Sequence, residues 1–266
     1  MEIFKKELKD NYISALIWTL SASAMAFISV VVYESTLANN IADWNKMMDT
    51  FPKMLLDAFK FNDNVFDSVL NFYAVKGYVF VALIISIFAA ILGAKLINKE
   101  ESEQTTEFML TKPVTRFKYV TQKLVSVLTI ITLSNIVLNS ILYLGLILGS
   151  KAAVDLNGFM LYALGTYLIT ITFGLIAFMI ACLARRVRGL TGMMVGLVFF
   201  SYFLSILANM STTFINLKYF SLFEYIDPND LLTTGLSPLA IIIFGSLITI
   251  SIIVSYQTYL KKDIYN

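Results

Sequence analysis

The chain has 266 residues, of which 58% are hydrophobic and 14% charged, with a mean hydropathy of +0.76. Soluble domains are about 45–50% apolar and about 25% charged, so this composition predicts an integral membrane protein. The net charge of +2 gives no reason to expect a nucleic-acid partner. Without histidine and with the single cysteine Cys182, the chain has no His-based catalytic triad and no thiolate cluster for a metal, so we expect no catalytic or metal site.

The first predicted element is an amphipathic helix over residues 1–13. Its apolar positions Phe4, Leu8 and Tyr12 recur every four residues, and charged residues occupy other positions. Such a helix can lie under the lipid headgroups as an interfacial anchor. It can also contact a cytoplasmic partner, and the pattern leaves both interpretations open.

Six apolar segments are long enough to cross a bilayer as helices. They are predicted at residues 14–33, 77–97, 124–148, 156–183, 190–214 and 238–256. We therefore predict a single all-α transmembrane domain over residues 1–266. The first run continues to Tyr33, longer than the apolar core of a signal peptide, so we expect it to remain as an anchor.

The distribution of basic residues predicts the orientation. Fourteen of the twenty Lys and Arg residues fall in the N-terminus, the second and fourth connections and the C-terminus. The positive-inside rule places these parts in the cytoplasm, including Arg185, Arg186 and Arg188, and makes residues 34–76 and 215–237 extracellular.

The predicted extracellular segment 34–76 has apolar residues at helical spacing in two places. Each set predicts a short helix with a buried face. The first set is Phe51, Met54, Leu55, Ala58 and Phe59, and the second is Val65, Phe66, Val69, Leu70 and Tyr73.

The predicted cytoplasmic loop 98–123 begins with acidic residues and then presents an apolar cluster, Phe108, Met109 and Leu110, where no bilayer is expected. Pro113 ends any helix before it, and Thr115 can cap a new helix that leads into the third span. The cluster is either part of an ordinary connector or a docking site for a soluble subunit.

Two pairs of residues inside the spans are candidates for packing or for a transport path. Asn135 and Asn139 lie one turn apart in the third span, where buried amides need partners. They can join helices or contact a substrate. Gly192 and Gly196 form a small-xxx-small pattern that allows close helix packing in the fifth span.

The last outer loop combines aromatic residues with a short helix. Tyr219, Phe220 and Phe223 are typical of an interfacial aromatic belt; the alternative is an extracellular gate over an exit path. Asp227 as N-cap, Pro228 at the first position and Gly235 just past the end predict a helix between them.

The layout resembles the permease subunit of ABC-2 type exporters. That family's stretch before the third span is similar to E-x-x-x-x-T-x-E-x-L-L-x-x-P-[VI]-[ST]-R-x-x-x-V-x-x-K. The matching residues here are Glu101, Thr106, Met109, Leu110, Pro113, Val114, Thr115, Arg116, Val120 and Lys123. Two departures are Phe108 within the Leu-rich spacing and Thr105 in place of glycine.

The resemblance implies a fold and partners. It implies that a transverse helix docks in a groove of a separate ABC ATPase, that Pro113, Thr115 and Arg116 form the turn into the next helix, and that two permease copies pair, here as a homodimer. ATP and Mg would bind two copies of the ATPase, with no cofactor on this chain. The expected docking residues are Thr105, Thr106, Glu107, Phe108, Met109, Leu110, Thr111 and Lys112.

The function expected from these features is ATP-driven export across a bacterial plasma membrane. No carboxylate or histidine lies within the six apolar runs and no Walker A loop is present, which disfavours a gradient-driven carrier. An apolar path suits an amphipathic peptide first, then a lipid or a small hydrophobic drug. The alternative is a non-transporting immunity or sensor subunit that recruits a cytoplasmic partner.

Overall fold

The computed structural model describes residues 2–37, 40–61, 65–66, 68–102, 115–149, 154–184 and 189–261, and all regular structure in these ranges is helical. Two π-helical turns, Tyr33–Leu37 and Tyr73–Tyr78, and a 3-10 helix, Thr212–Phe220, accompany the α-helices. The α-helices are α1 (Glu2–Val32), α2 (Ile41–Met48), α3 (Lys53–Ala58), α4 (Val69–Phe72), α5 (Val79–Ser102), α6 (Arg116–Gly149), α7 (Leu156–Leu183), α8 (Leu190–Met210), α9 (Pro228–Thr233) and α10 (Pro238–Lys261).

Six helical segments are long and apolar enough to cross a membrane: α1, α4 continued through α5, α6, α7, α8 and α10. This confirms the predicted all-α, six-span class. The fourth span has the predicted bounds, because Asp155 caps it by accepting hydrogen bonds from the backbone N–H of Asn157 and Gly158 at 3.0 and 3.2 Å.

The other helix ends differ from the ends of the apolar runs. Residues 2–13, predicted as an interface helix, are helical and form the first part of α1, which continues without a break from Glu2 into the first span. The second span becomes helical at Val69 and the third at Arg116, each before its apolar run begins. The fifth ends at Met210, short of residue 214. Charged and polar residues continue a helix readily, so hydropathy alone does not mark where it stops.

The centre of the bundle consists of α5 and α7. In the most apolar stretch of each, 78% and 67% of the residues are buried, against 22% in α10. The two helices approach closely at Gly93 and Gly174, because a Cβ on Gly93 would collide with the carbonyl oxygen of Gly174. The helices α1 and α6 pack along each other on one side, and α10 packs against α7.

The bundle has two ends. At the terminal side, α1 begins and α10 ends, and this side also holds the end of α5 and the start of α6. The far side carries the short helices α2, α3 and α9. There Tyr162 of α7 donates a hydrogen bond of 3.0 Å to the carbonyl of Pro228, which fixes α9 against the bundle.

The short far-side helices follow the predictions in part. α9 is as predicted, with Asp227 as N-cap and Gly235 at a positive φ of 75° just after its end. The second apolar set of the 34–76 segment is buried as predicted. The first set is not, since Phe51, Met54, Leu55 and Phe59 are each more than 40% exposed and only Ala58 is buried.

Candidate functional site at the terminal side

The predicted docking segment, Thr105–Lys112 with Pro113, lies outside the described residues, but the structure describes both of its flanks. On one flank α5 ends at Ser102, and on the other α6 begins at Arg116. If this segment has the predicted docking role, a movement of the partner would reach the bundle through these two helix ends. Their contacts decide which other spans receive it.

Local hydrogen bonds define the start of α6. The Thr115 hydroxyl accepts a hydrogen bond of 3.3 Å from the backbone N–H of Lys118, which confirms the predicted N-cap. Arg116 donates from Nη1 to the carbonyl oxygen of Leu260 at 3.4 Å, near the end of α10. The first turn of α6 is thus tied to the last turn of the chain's final helix.

A buried ion pair joins α6 to α1. Lys123 Nζ lies 2.7 Å from Glu7 Oε1, and the two side chains are 0% and 1% exposed. Asn11 donates to the other carboxylate oxygen of Glu7 at 3.3 Å, and the ring of Tyr119 lies under the lysine ammonium, 5.4 Å from its centroid. Removing two charges from water is costly, so such a pair persists only where geometry and further hydrogen bonds compensate it.

Aromatic contacts join α6 to α10 at the same level. The rings of Tyr119 and Tyr259 stack with centroids 5.5 Å apart and planes 16° from parallel. The Thr121 and Tyr256 hydroxyls share a hydrogen bond of 2.8 Å, and Tyr256 also packs against Phe117. The start of α6 is therefore held between α1 and α10.

A second ion pair joins the end of α5 to α1. Lys99 Nζ lies 2.7 Å from Asp10 Oδ2, with the side chains 21% and 33% exposed. The two helices that flank the predicted docking segment are thus both ion-paired to the first turns of α1. We call the set Glu7, Asp10, Lys99, Lys123, Tyr119 and Tyr259 the terminal junction.

The residues of the predicted interface helix occupy a different arrangement from the expected one. Phe4 and Leu8 are half-buried and Tyr12 is 54% exposed, whereas Glu7 and Asn11 are buried. The face that packs on the bundle in this part of α1 therefore combines Glu7 and Asn11 with the half-buried Phe4 and Leu8. The ion pair with Lys123 accounts for the burial of Glu7, because it needs that carboxylate to point inward.

The asparagines of the third span bond along their own helix. Asn135 is buried and donates to the carbonyl of Ile131 at 3.0 Å, and the half-buried Asn139 donates to the carbonyl of Asn135 at 2.8 Å. The neighbouring hydroxyl of Thr132 shares a hydrogen bond of 3.0 Å with Tyr167, which links α6 to α7. Substrate contact or helix joining by the asparagines stays a prediction.

Two other predicted sets do not come together as expected. A Cβ added at Gly192 or Gly196 meets no atom within 4 Å in the part of the chain that the structure describes, so none of the described helices packs on that small-xxx-small surface. Tyr219 and Phe220 are 59% and 75% exposed, but Phe223 is buried between Phe173 and Tyr202. The three proposed gate residues therefore do not share one surface.

The terminal junction is the feature that the sequence analysis missed. Lys123 enters the sequence analysis only as a motif position, and Glu7 is not singled out there. Glu7, Asn11 and Thr19 are separated by four and eight residues and are all buried, a spacing typical of a packed helix face. Within the described ranges, no group of three or more His, Cys, Asp or Glu residues could hold a metal ion.

The fold defines a multi-pass α-helical membrane protein in which the end of α5 and the start of α6 flank segment 103–114 on the terminal side. The sequence matches the family described as ABC-2 family transporter protein over residues 1–264. The chain belongs to this family of membrane transporter subunits. A comparison with curated proteins finds no match.

Proposed function

We propose that the chain is the membrane-spanning subunit of an ATP-driven exporter, working as a homodimer with two copies of a separate ABC ATPase. Family membership supports an ABC transporter subunit. The observation that carries the proposal is the terminal junction, in which Lys99 and Lys123, from the two flanks of segment 103–114, are both ion-paired to α1. In this proposal the ATPase binds Thr105–Lys112, and ATP and Mg bind the ATPase.

The terminal junction suits a mechanical coupling role. A buried charge that loses its partner is strongly unfavourable, so Lys123 and Glu7 favour joint movement of α6 and α1. The Lys99–Asp10 pair adds α5 to the same unit, and the stacked Tyr119 and Tyr259 add α10. ATP-driven closure of the two ATPases would then tilt several spans together, from an inward-open to an outward-open arrangement.

The proposed orientation places the terminal side, with both chain ends, in the cytoplasm of a bacterial cell. The excess of Lys and Arg in the segments on this side supports it. The ATPase docking segment then faces the compartment that contains ATP. The far side, with α2, α3 and α9, is extracellular.

The substrate proposed is an amphipathic peptide, with a lipid or small hydrophobic drug as the next choice. The exposed residues of the spans are largely apolar, and the buried charges at the terminal side are paired with each other. Such a surface suits apolar or amphipathic cargo better than a hydrated ion. If deletion of the gene changes neither peptide secretion nor peptide tolerance, the peptide assignment is wrong.

Complex formation tests the proposal. The chain is co-expressed with each ABC ATPase subunit of the same genome in turn, solubilised and purified through a tag on this chain, and the composition is read by native mass spectrometry. We expect two copies of each protein. Phe108→Asp with Leu110→Asp should abolish ATPase binding, because a charge replaces the apolar docking cluster.

A matched control is Phe220→Asp, which places the same charge at a 75% exposed aromatic on the far side and should leave the complex intact. Retention of the ATPase by the Phe108 and Leu110 variant would show that the segment is not the docking site. A subunit that recruits the ATPase without transporting anything would form the same complex. The two functions are therefore distinguished by whether the reconstituted complex moves cargo when ATP is added.

A further inference from the structure

Lys60, which follows α3 on the far side, has a backbone conformation that favours glycine. Its φ is 58°, and no other non-glycine residue in the described part of the chain has a positive φ. A left-handed backbone costs a non-glycine residue of order 1 kcal/mol or more and persists where surrounding contacts hold it. A lysine at this position therefore points to a use for its side chain.

The Lys60 side chain forms two ion pairs in a largely enclosed setting. Its Nζ lies 2.7 Å from Asp227 Oδ2 and 2.9 Å from Glu224 Oε2, and the three side chains are only 11–16% exposed. The Lys60 carbonyl also accepts a hydrogen bond of 3.0 Å from Asn229 Nδ2. We call residues 53–61 the α3 segment. Lys60, in this segment, thus contacts both the loop before α9 and α9 itself.

Glu224 extends these contacts to the end of a membrane-spanning helix. Its Oε2 accepts hydrogen bonds from Ser205 Oγ at 2.6 Å and from Asn209 Nδ2 at 3.0 Å, both on α8. Asp227 meanwhile caps α9 by accepting from the backbone N–H of Asn229 at 2.8 Å. Lys60 therefore connects the α3 segment, the end of α8 and the start of α9.

Burial and the neighbouring carboxylates act in opposite directions on the pKa of Lys60. Burial lowers the pKa of Lys60, but Asp227 and Glu224 outweigh that effect and raise it above its ordinary value of 10.5. Asp230 on α9 also faces the cluster, and burial together with the charges of Asp227 and Glu224 raises its pKa. The Lys60 ammonium is therefore charged at neutral pH.

Apolar packing holds α3 only weakly. Ala58 is its one buried residue, and Met54, Leu55 and the adjacent Phe59 are 49%, 44% and 46% exposed. Segments with few buried apolar contacts belong to the less stable parts of a structure and move at low cost. The polar contacts of Lys60 and the ring contact of Lys76 on Phe61 at 3.9 Å therefore supplement the limited packing of Ala58 and Phe61 in holding this segment.

We propose that Lys60, Glu224 and Asp227 form a latch that fastens the α3 segment over the end of α8 and releases it when the far side opens. The inference rests on the proposed function, because release belongs to the outward-open step. Specific ion pairs suit a reversible fastening, since charges separated from each other can be solvated by water once the segment moves away. The latch would thereby bias the resting protein toward a closed far side.

Distance measurements between spin labels test the latch. Labels are attached through Met54→Cys on α3 and Asn216→Cys in the 3-10 helix after α8, both exposed, in a chain whose buried Cys182 is replaced by Ala. Labelled chains are diluted with unlabelled ones so that only distances within one chain are read. We expect a single short distance in the resting protein, and loss of that population in Lys60→Met.

Three variants control for folding and for charge. Lys60→Arg should keep the short distance, because arginine can pair with both carboxylates. Asp227→Asn retains an N-cap for α9 while removing one ion pair, so it should lower the short-distance population without unfolding the helix. Lys46→Met removes an exposed pair with Asp43, 4.0 Å apart and about 80% exposed, and should change nothing.

The full complex tests release. With the ATPase, ATP and vanadate, the wild-type short distance should be lost. If Lys60→Met has the same distance distribution as wild type, the latch is overturned whether or not the complex transports. If the complex transports while the distance stays short, the latch is overturned and the proposed function stands.

Discussion

Lys123 and Glu7 form an ion pair of 2.7 Å between α6 and α1, with at most 1% of either side chain exposed. Removing one partner leaves a buried charge without compensation. We therefore expect Lys123→Met to destabilise the protein by about 3–5 kcal/mol, measured as loss of thermal stability in detergent. Adding Glu7→Gln should recover most of this loss, because no charge then remains buried.

Lys118→Met is the control for this experiment, since Lys118 is exposed five residues earlier on the same helix; its effect should stay within about 0.5 kcal/mol. Wild-type stability in the single Lys123→Met variant would contradict the account. So would a double variant that is less stable than the single one.

The contact of Gly93 with Gly174 predicts an intolerant position. An added Cβ on Gly93 would meet the backbone of α7, at the Gly174 carbonyl and at the Phe178 nitrogen, and no change of rotamer relieves a clash with backbone. Gly93→Ala should cost about 1–3 kcal/mol in thermal unfolding. Gly196→Ala, with open space around it, should not destabilise the isolated subunit, and equal losses at both positions would refute this packing.

The Asp230 carboxyl predicts a pH-dependent change in stability. Its pKa is raised by burial and then by Asp227, so the folded state binds its proton more tightly than the unfolded state. As the pH rises from the unfolded-state pKa of 3.8 through the higher folded-state pKa, ionisation of Asp230 therefore lowers the stability of the folded protein. Asp230→Asn should raise the melting temperature at pH 7 by less than about 2 °C, since the group is largely in water.

The same variant should lose its advantage as the pH falls through the folded-state pKa of Asp230 toward the unfolded value of 3.8, because the wild-type carboxyl then takes up a proton and is neutral as well. Melting curves of both proteins across that range provide the measurement. An unchanged or lower melting temperature for Asp230→Asn at pH 7 would show that Asp230 is stabilised by its surroundings instead.

The spans themselves could be predicted from the sequence, because a helix needs about 20 successive, mostly apolar residues to cross the hydrocarbon core of a bilayer. Both ends of α7 coincide with those of the apolar run. The run begins directly after the Asp155 N-cap, and it stops where the helix stops. The periodicity of Phe4, Leu8 and Tyr12 correctly predicts a helix at the start of α1, but it does not show that Glu7 and Asn11 are buried beside them. Local periodicity finds a helix but does not decide which face the rest of the chain covers.

The ion pairs could not be predicted, because their members are far apart in sequence. Glu7 and Lys123 are separated by 116 positions, and Lys60 and Glu224 come from two different loops. Each of these residues has a plausible local use as a surface charge. Only the packing of α1 on α6, and of the α3 segment on α8, makes them partners.

Transport by this chain in inverted membrane vesicles, with and without its ATPase, tests most directly whether the energy comes from a partner. The readout is uptake of a fluorescent amphipathic peptide against its gradient. We expect accumulation only when the ATPase and ATP are both present, and none when Phe108→Asp and Leu110→Asp are introduced. Accumulation by this chain alone, without nucleotide, would contradict the account.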